Sequence, residues 1–139
     1  MIALVEELIV PTRGKGTYEI TTEVLELVTR SGICTGLVTV FLQHTSASLV
    51  IYENADPTAR VDLHRFFEEL VPEENPHLIH TMEGPDDSTS HLRMALTRTS
   101  EAIPIANGKL QLGTWQGIYL FEHRSSPHHR KVVLSLLGN

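Results

Sequence analysis

Residues 103–139 contain strand-like sequence that no helical segment interrupts, and this run constrains the fold more than any other feature. It reads IPIANGKLQLGTWQGIYLFEHRSSPHHRKVVLSLLGN, with turn-like breaks at ANGK and RSSPHHR. A doubly wound α/β fold would need strands and helices in regular alternation, which this run lacks. The sequence therefore predicts an α+β protein with a mostly antiparallel, β-sandwich-like sheet and two to three helices.

The first third of the chain supplies strands and one helix. MIALVEELIVPTRGKG predicts a first strand, and YEITTEVLELVTRSG predicts a helix that Thr21 or Thr22 caps and Gly32 ends. GLVTVFLQHTSASLVIYEN then reads as strand sequence. Strand alternation continues one apolar face from Leu42 to His44, so His44 lies where that face becomes polar.

Two further helices are predicted in the middle of the chain. In the first, Asp56 is a suitable N-cap, Pro57 follows it, and Pro72 lies where the helix should stop. In the second, EGPDDSTSHLRMALTRTS, Asp87 or Ser88 is expected to cap the helix, with His91 in the first turn. The residues predicted to form their apolar faces are Leu63, Phe66, Phe67 and Leu70 in the first, and Leu92, Ala95 and Leu96 in the second.

Composition narrows the class of protein. The 139 residues are 41% hydrophobic and 20% charged, which predicts one globular domain spanning residues 1–139. A net charge of −6 provides no basic field for nucleic acid, and the first apolar segment is too short to span a membrane and lacks the features of a signal peptide. The single cysteine, Cys34, excludes an internal disulfide and suits a cytoplasmic protein.

Two clusters of polar residues could take part in catalysis or binding, or could have a purely structural role. In QHTSASL, His44 precedes hydroxyl residues and could orient a nucleophile or bind phosphate, although such residues commonly serve turns. In HTMEGPDDSTSH, three carboxylates stand between His80 and His91. These carboxylates and imidazoles together could hold a metal or form an acid–base pair, or the acidic residues could simply complement the dipole of a helix N-terminus.

The segment LGTWQGIYLFEHR concentrates hydrogen-bonding groups in an apolar strand. Both faces of the predicted strand are apolar, with Trp115 sharing a face with Tyr119 and Phe121, so we expect burial on both sides or a subunit contact. Gly113 and Gly117 flank Thr-Trp-Gln, and glycine in a strand often marks a bulge or a close approach by a ligand. A bulged core strand explains most of this pattern.

Three motifs in one order, HTSASLVIYENADP, EGPDDSTSHL and GKLQLGTWQGIYLFEHR, resemble the YjbQ-like family, described as secondary thiamine-phosphate synthases. The resemblance extends from YEIT to the last strand. It departs from the family pattern Asp-Asp-Met-Pro-Ala-His, because Ser88, Thr89 and Ser90 precede His91 and the loop lacks a proline. The family implies a β-sandwich fold and a homotrimer with a polar cleft near the subunit contact.

The resemblance also implies an activity, in which hydroxymethylpyrimidine diphosphate and thiazole phosphate join to give thiamine phosphate and pyrophosphate. The alternative is a non-catalytic trimer that binds a metal or a small phosphorylated metabolite. A divalent metal, Zn or Mg, is expected with His44, His91 and His123 as ligands. The implied catalytic residues are His44, Asp87, His123 and Arg124, and the implied substrate-binding residues are Thr45, Glu53, Asn54, Glu83, Asp86, Thr114, Trp115 and Gln116.

Overall fold

Eight strands and three helices follow one another in the computed structural model, which describes residues 1–139. The strands are β1 (Ile2–Thr12), β2 (Gly16–Glu19), β3 (Gly36–Leu42), β4 (Ala47–Glu53), β5 (Ser100–Ala106), β6 (Lys109–Leu110), β7 (Gln116–Glu122) and β8 (His128–Gly138). The helices are α1 (Thr21–Ser31), α2 (Pro57–Leu70) and α3 (Asp87–Leu96). The α+β class and the presence of three helices are confirmed, and none of these helices is long and apolar enough to cross a membrane.

The strands form two antiparallel sheets. The larger has the order β1-β8-β3-β5-β6, and the smaller has β7 at its centre between β2 and β4. The β1–β8 pair runs from Ile2 opposite Gly138 to Thr12 opposite His128. In the small sheet, Glu122 at the end of β7 lies opposite both Gly16 and Ala47.

The core lies between the two sheets and is closed on one side by α1. Its 18 buried hydrophobic residues include Val38, Val40 and Leu42 of β3, as the alternation predicted. β8 contributes Val132, Leu134 and Leu136, and α1 contributes Val24, Leu27 and Val28. The other face of the small sheet is covered by α2, where the ring of Phe67 meets that of Phe121 edge-on with centroids 5.3 Å apart.

Local capping signals located α2 correctly and the two other helices less well. The Asp56 carboxylate accepts from the Thr58 backbone N–H at 2.9 Å, and Pro57 is the first helical residue. α1 has neither predicted threonine cap, because the hydroxyl of Thr21 bonds to Glu19 and Ile118 instead. The start of the YEIT segment belongs to β2 rather than to the helix.

The predicted apolar faces of α2 and α3 are wrong in large part. In α2 only Phe67 is buried, while Phe66 and Leu70 are exposed. In α3, Leu92 and Leu96 are exposed, and the buried residues are Asp87, Thr89, Ser90 and Arg93. The reason is that α3 lies against hydrogen-bonding groups, such as the Val71 carbonyl, which accepts from Arg93 Nη2 at 2.8 Å. Polar side chains satisfy such groups where leucine would leave them unpaired.

Candidate functional site

Three consecutive residues at the end of β7 turn to different surroundings. Glu122 points into the core side, where it is 1% exposed and forms a two-point contact with the guanidinium of Arg130, itself 3% exposed. His123 lies on the opposite face, beneath α2 and α3, and Arg124 extends toward the beginning of α3. Strand alternation thus directs Glu122 and His123 to opposite faces, and Arg124 follows them where the strand ends.

His123 is a fully buried, uncharged imidazole. Its Nε2 lies 2.8 Å from the hydroxyl of Ser48, its Nδ1 has no partner, and its ring centroid is 4.4 Å from that of Phe121. Burial, reinforced by the charges of Arg93 and Arg130, lowers the pKa of His123 from 6.5 to about 3. The ring is therefore neutral at physiological pH, and its predicted catalytic and metal-binding roles stay predictions.

The N-terminus of α3 is built from two buried carboxylates. Asp86 accepts from the backbone N–H and hydroxyl of Ser125, at 2.6 and 2.7 Å. Asp87 accepts from Arg124 Nη1 at 2.6 Å. Since both carboxylates are engaged with residues 124 and 125, neither caps its own helix, and the predicted Asp87 or Ser88 cap is absent. The acidic turn instead fastens α3 to the end of β7.

Asp87 also accepts from two histidines through its second oxygen. His80 Nε2 lies 2.8 Å and His91 Nε2 lies 3.0 Å from Asp87 Oδ2. Burial opposes ionisation of Asp87, but the hydrogen bond from His80 and the charges of His91 and Arg124 outweigh it, so the pKa of Asp87 is below its ordinary value. Asp87 is thus an anion that contacts one guanidinium and two imidazoles.

His80, Asp87 and His91 are suitably placed to hold a metal ion. One ligand atom from each lies within 4.8 Å of the other two. Two imidazoles and a carboxylate suit zinc better than magnesium, which prefers oxygen ligands. The Nδ1 of His91 donates to the Thr45 carbonyl, and Arg124 holds the other Asp87 oxygen, the outer contacts that orient metal ligands.

The expected ligand set of His44, His91 and His123 does not form such a cluster in one chain. His44 is half-buried, and its Nε2 accepts from the Lys131 backbone N–H at 2.8 Å. Burial and the nearby Arg130 lower the pKa of His44 below its ordinary value. A neutral ring with Nε2 as acceptor carries its proton on Nδ1. His44 and Thr45 line an open cleft of about 570 Å³ whose wall includes Met94.

The remaining predicted substrate residues form a separate cluster at the start of β7. Asn54 Nδ2 donates to the carbonyls of Thr114 and Gln116, at 3.3 and 3.4 Å, and Gln116 Oε1 accepts from the Gly113 backbone N–H at 2.8 Å. Glu53 accepts from the backbone N–H groups of residues 55 and 56. Because β7 extends from Gln116 to Glu122, this cluster is separated by about 20 Å of strand from Glu122, beyond which Arg124 lies.

Trp115 does not lie in the strand, contrary to expectation. It occupies the turn before β7 and its side chain is 63% exposed. Burial on both faces is confirmed for residues 117–122. At Gly117 a Cβ atom would come within 2.9 Å of Glu19 and the Tyr119 ring, so this glycine permits close packing rather than a bulge. Glu83 is exposed, and it is its backbone carbonyl that accepts from Arg124, at 3.1 Å.

The expected ligand set of His44, His91 and His123 omitted His80, and sequence reasoning assigned no site role to Arg130. His80 had been considered only as one of the histidines that flank the acidic turn, whose imidazoles and carboxylates could together hold a metal. Arg130 had a stronger signal, because it shares the alternating face of β8 with the core residues Val132 and Leu134. A charged residue on a core face requires a partner of opposite charge.

The sequence was compared with models of protein families and with curated proteins, and these comparisons agree on one family. The family model described as UPF0047 protein YjbQ-like matches residues 6–139. A UPF0047 protein of Synechocystis sp. is 51% identical over 133 residues, covering 96% of this chain and 90% of the relative. The UPF0047 protein YjbQ of Escherichia coli O157:H7 is 42% identical, covering 91% of each chain.

Solved structures agree with the sequence relatives. A crystal structure of a YjbQ/UPF0047 family protein from Clostridium acetobutylicum superimposes with a TM-score of 0.87 at 35% identity, covering 95% of this chain and 99% of the other. A conserved hypothetical protein from Thermus thermophilus gives a TM-score of 0.85 at 36% identity, with the same coverage. From the motifs, the fold and these relatives together, the chain belongs to the YjbQ-like UPF0047 protein family.

Proposed function

We propose that this protein is a metal-assisted transferase of low thiamine-phosphate synthase activity, acting on a diphosphate substrate at the N-terminus of α3. The observation that carries the proposal is the convergence of His80, Asp87 and His91 beside the guanidinium of Arg124. Diphosphate is a strong anion, and metal ions, guanidinium groups and helix N-termini are the protein elements that bind it.

The reaction requires a site that stabilises a departing anion. The C–O bond between the pyrimidine methylene carbon and the diphosphate breaks, with its electron pair leaving on pyrophosphate, and the thiazole nitrogen forms the new C–N bond. Zinc held by His80, Asp87 and His91 would supply positive charge for the leaving group. Arg124 adds a fixed cation, and His44 lines the neighbouring cleft.

Exposed apolar surfaces are consistent with self-association, which would bring the two ends of β7 together from different copies. The outer face of the five-stranded sheet leaves large apolar residues between 39% and 71% exposed, namely Val5, Ile9, Leu37, Phe41 and Leu137. A second apolar surface lies on the helices, at Phe66, Leu70, Leu92 and Leu96. A cyclic homotrimer joins two different surfaces of adjacent copies, so this pair of faces fits the predicted trimer.

The test is zinc content and turnover in matched histidine variants. We expect about one zinc per chain and measurable thiamine phosphate formation in the wild type, and the loss of both in His91→Ala. His77 is exposed, and its side chain makes no hydrogen bond, so His77→Ala is the control and should behave as the wild type. Turnover that survives in zinc-free His91→Ala would refute the assigned site.

The second candidate is a non-catalytic trimer that binds a metal or a phosphorylated metabolite. It is favoured by one observation, that His80, His91 and Arg124 are already held in fixed positions by hydrogen bonds to Asp87, as in a site arranged for binding. It predicts that zinc or pyrophosphate raises the melting temperature while no product forms from the two substrates. Product formation by the wild type, absent in His91→Ala, excludes it.

A further inference from the structure

We propose that Glu122 and Arg130 are positioning residues, whose buried ion pair holds Arg124 and His44 in place on two sides of the site. The inference rests on the proposed function for its consequence on ligand binding. Neither residue reaches the surface, since Glu122 is 1% and Arg130 3% exposed. Their contribution therefore passes through the groups that they contact.

The pair has few unused hydrogen-bonding positions. Arg130 Nε donates to Glu122 Oε1 at 2.8 Å, and Arg130 Nη2 donates to Glu122 Oε2. The hydroxyl of Thr12 on β1 also donates to Oε1, at 2.6 Å. Such two-point contacts fix the orientation as well as the distance of both side chains. The carboxylate is therefore held rigidly between β1, β7 and β8.

Glu122 holds the segment that carries Arg124. Its Oε2 accepts from the backbone N–H of His123 at 3.1 Å and from that of Arg124 at 3.3 Å. The chain leaves the sheet at this point, so no neighbouring strand fixes the backbone of Arg124. Through this contact the Glu122 carboxylate fixes the position of the Arg124 backbone, from which the guanidinium extends to Asp87.

Arg130 holds the segment that carries His44. Its Nη2 donates to the Ser46 carbonyl at 3.3 Å, its Nη1 lies 3.4 Å from His44 Nδ1, and the following N–H, of Lys131, donates to His44 Nε2. The carbonyl of Thr45, one residue before Ser46, accepts from His91. One buried guanidinium thus borders both His44 and the backbone that supports a predicted metal ligand.

A purely structural pair would behave differently from a positioning pair. Replacing a buried ion pair by uncharged residues of similar size often leaves a protein as stable as before, whereas removing one partner strands the other charge. Glu122→Gln/Arg130→Met removes both charges and keeps an amide oxygen for the backbone N–H groups. It also deletes every guanidinium contact to Ser46 and His44.

The experiment compares this double variant with wild type by crystallography, melting temperature and calorimetric titration with inorganic pyrophosphate. The matched control is Arg98→Met/Glu101→Gln, an ion pair of 3.1 Å whose arginine is largely exposed and which touches none of the site residues. We expect the double variant to melt within about 5 °C of wild type. We also expect Arg124 and His44 to be displaced. In titrations carried out well below the melting temperature, pyrophosphate should bind at least tenfold more weakly to the double variant than to wild type.

Each other outcome decides the question. If Arg124 and His44 keep their positions in the crystal structure of the double variant, the positioning role is overturned. It is also overturned if they are displaced but the affinity for pyrophosphate is unchanged. If wild type itself binds no pyrophosphate, the proposed function fails, and the crystallographic positions still decide whether the pair positions these side chains. Should the double variant not fold, Arg130→Lys keeps the charge but lacks the planar fork. It is then expected to fold and show the same displacement, and unmoved side chains in it would overturn the proposal.

Discussion

Replacing His123 is expected to remove a defined part of the protein's sensitivity to mild acid. The imidazole is buried beneath α2 and α3, and burial together with the charges of Arg93, Arg130, His64 and Lys15 lowers its pKa from 6.5 to about 3. Between these two values the unfolded chain binds a proton at this ring and the folded chain does not. The free energy of unfolding is therefore unaffected by this ring above pH 6.5, and it decreases as the pH falls from 6.5 toward 3.

The size of the effect follows from the shift. Each pH unit inside this window changes the free energy of unfolding by up to 1.36 kcal/mol for one proton. Because pH 5 lies 1.5 units below the ordinary value of 6.5, His123 should account for roughly 2 kcal/mol of stability lost between pH 7 and pH 5. The carboxylates of Asp86 and Asp87, whose pKa values are lowered, remain ionised across this interval and add little to it.

The assay is urea unfolding of wild type and His123→Gln at pH 7 and pH 5. Glutamine retains a polar group near the position of Nε2, which can still contact Ser48, and it does not titrate. His44 and His64, whose pKa values are also lowered, contribute to the pH dependence of both proteins and cancel in the comparison. His129→Gln, at an exposed position, is the control. Equal losses in wild type and His123→Gln would refute the conclusion that the buried ring stays neutral.

Two further substitutions test the site and the sheet. Asp87→Asn removes the negative charge 2.6 Å from Arg124 Nη1 but keeps an amide oxygen, so we expect a loss of roughly 2 kcal/mol, or about 6 °C in melting temperature, against no change in exposed Asp62→Asn. An unchanged melting temperature would show that the contact contributes nothing. Gly36→Ala would place a Cβ atom on the Leu137 carbonyl of the paired strand β8, so calorimetry should show a loss of at least about 2 kcal/mol. Gly16→Ala, where nothing lies closer than 3.5 Å, should be nearly neutral, and equal effects at both positions would contradict the packing argument.

The parts of the fold that the sequence predicted correctly depend on local signals. Asp56 and Pro57 mark the start of α2 whatever surrounds them, because a cap and a first-turn proline act within one turn. The alternation of Val38, Val40 and Leu42 is likewise a property of the strand itself. Such signals are complete within a few residues and can be read without knowing the tertiary structure.

The burial pattern of α3 could not be predicted, because its surroundings come from distant parts of the chain. Thr89, Ser90 and Arg93 are buried although Leu92 and Leu96 are not. Arg93 is accommodated by Glu68 and the Val71 carbonyl, which lie 25 and 22 residues earlier in the sequence. A periodicity that assigns leucine to the interior misreads a helix whose interior face is polar.

Sequence order likewise could not reveal how β7 separates the predicted site. The motif that contains both Trp115 and Arg124 is continuous in sequence, yet its two ends lie about 20 Å apart along an extended strand. Resemblance to a family identifies the residues that belong to its motifs. It does not show whether a single chain brings those residues together in space. If both ends serve one ligand, they must meet across a contact between copies. On that condition, we expect an enforced monomer to keep the groups around Asp87 while losing any contribution of Trp115.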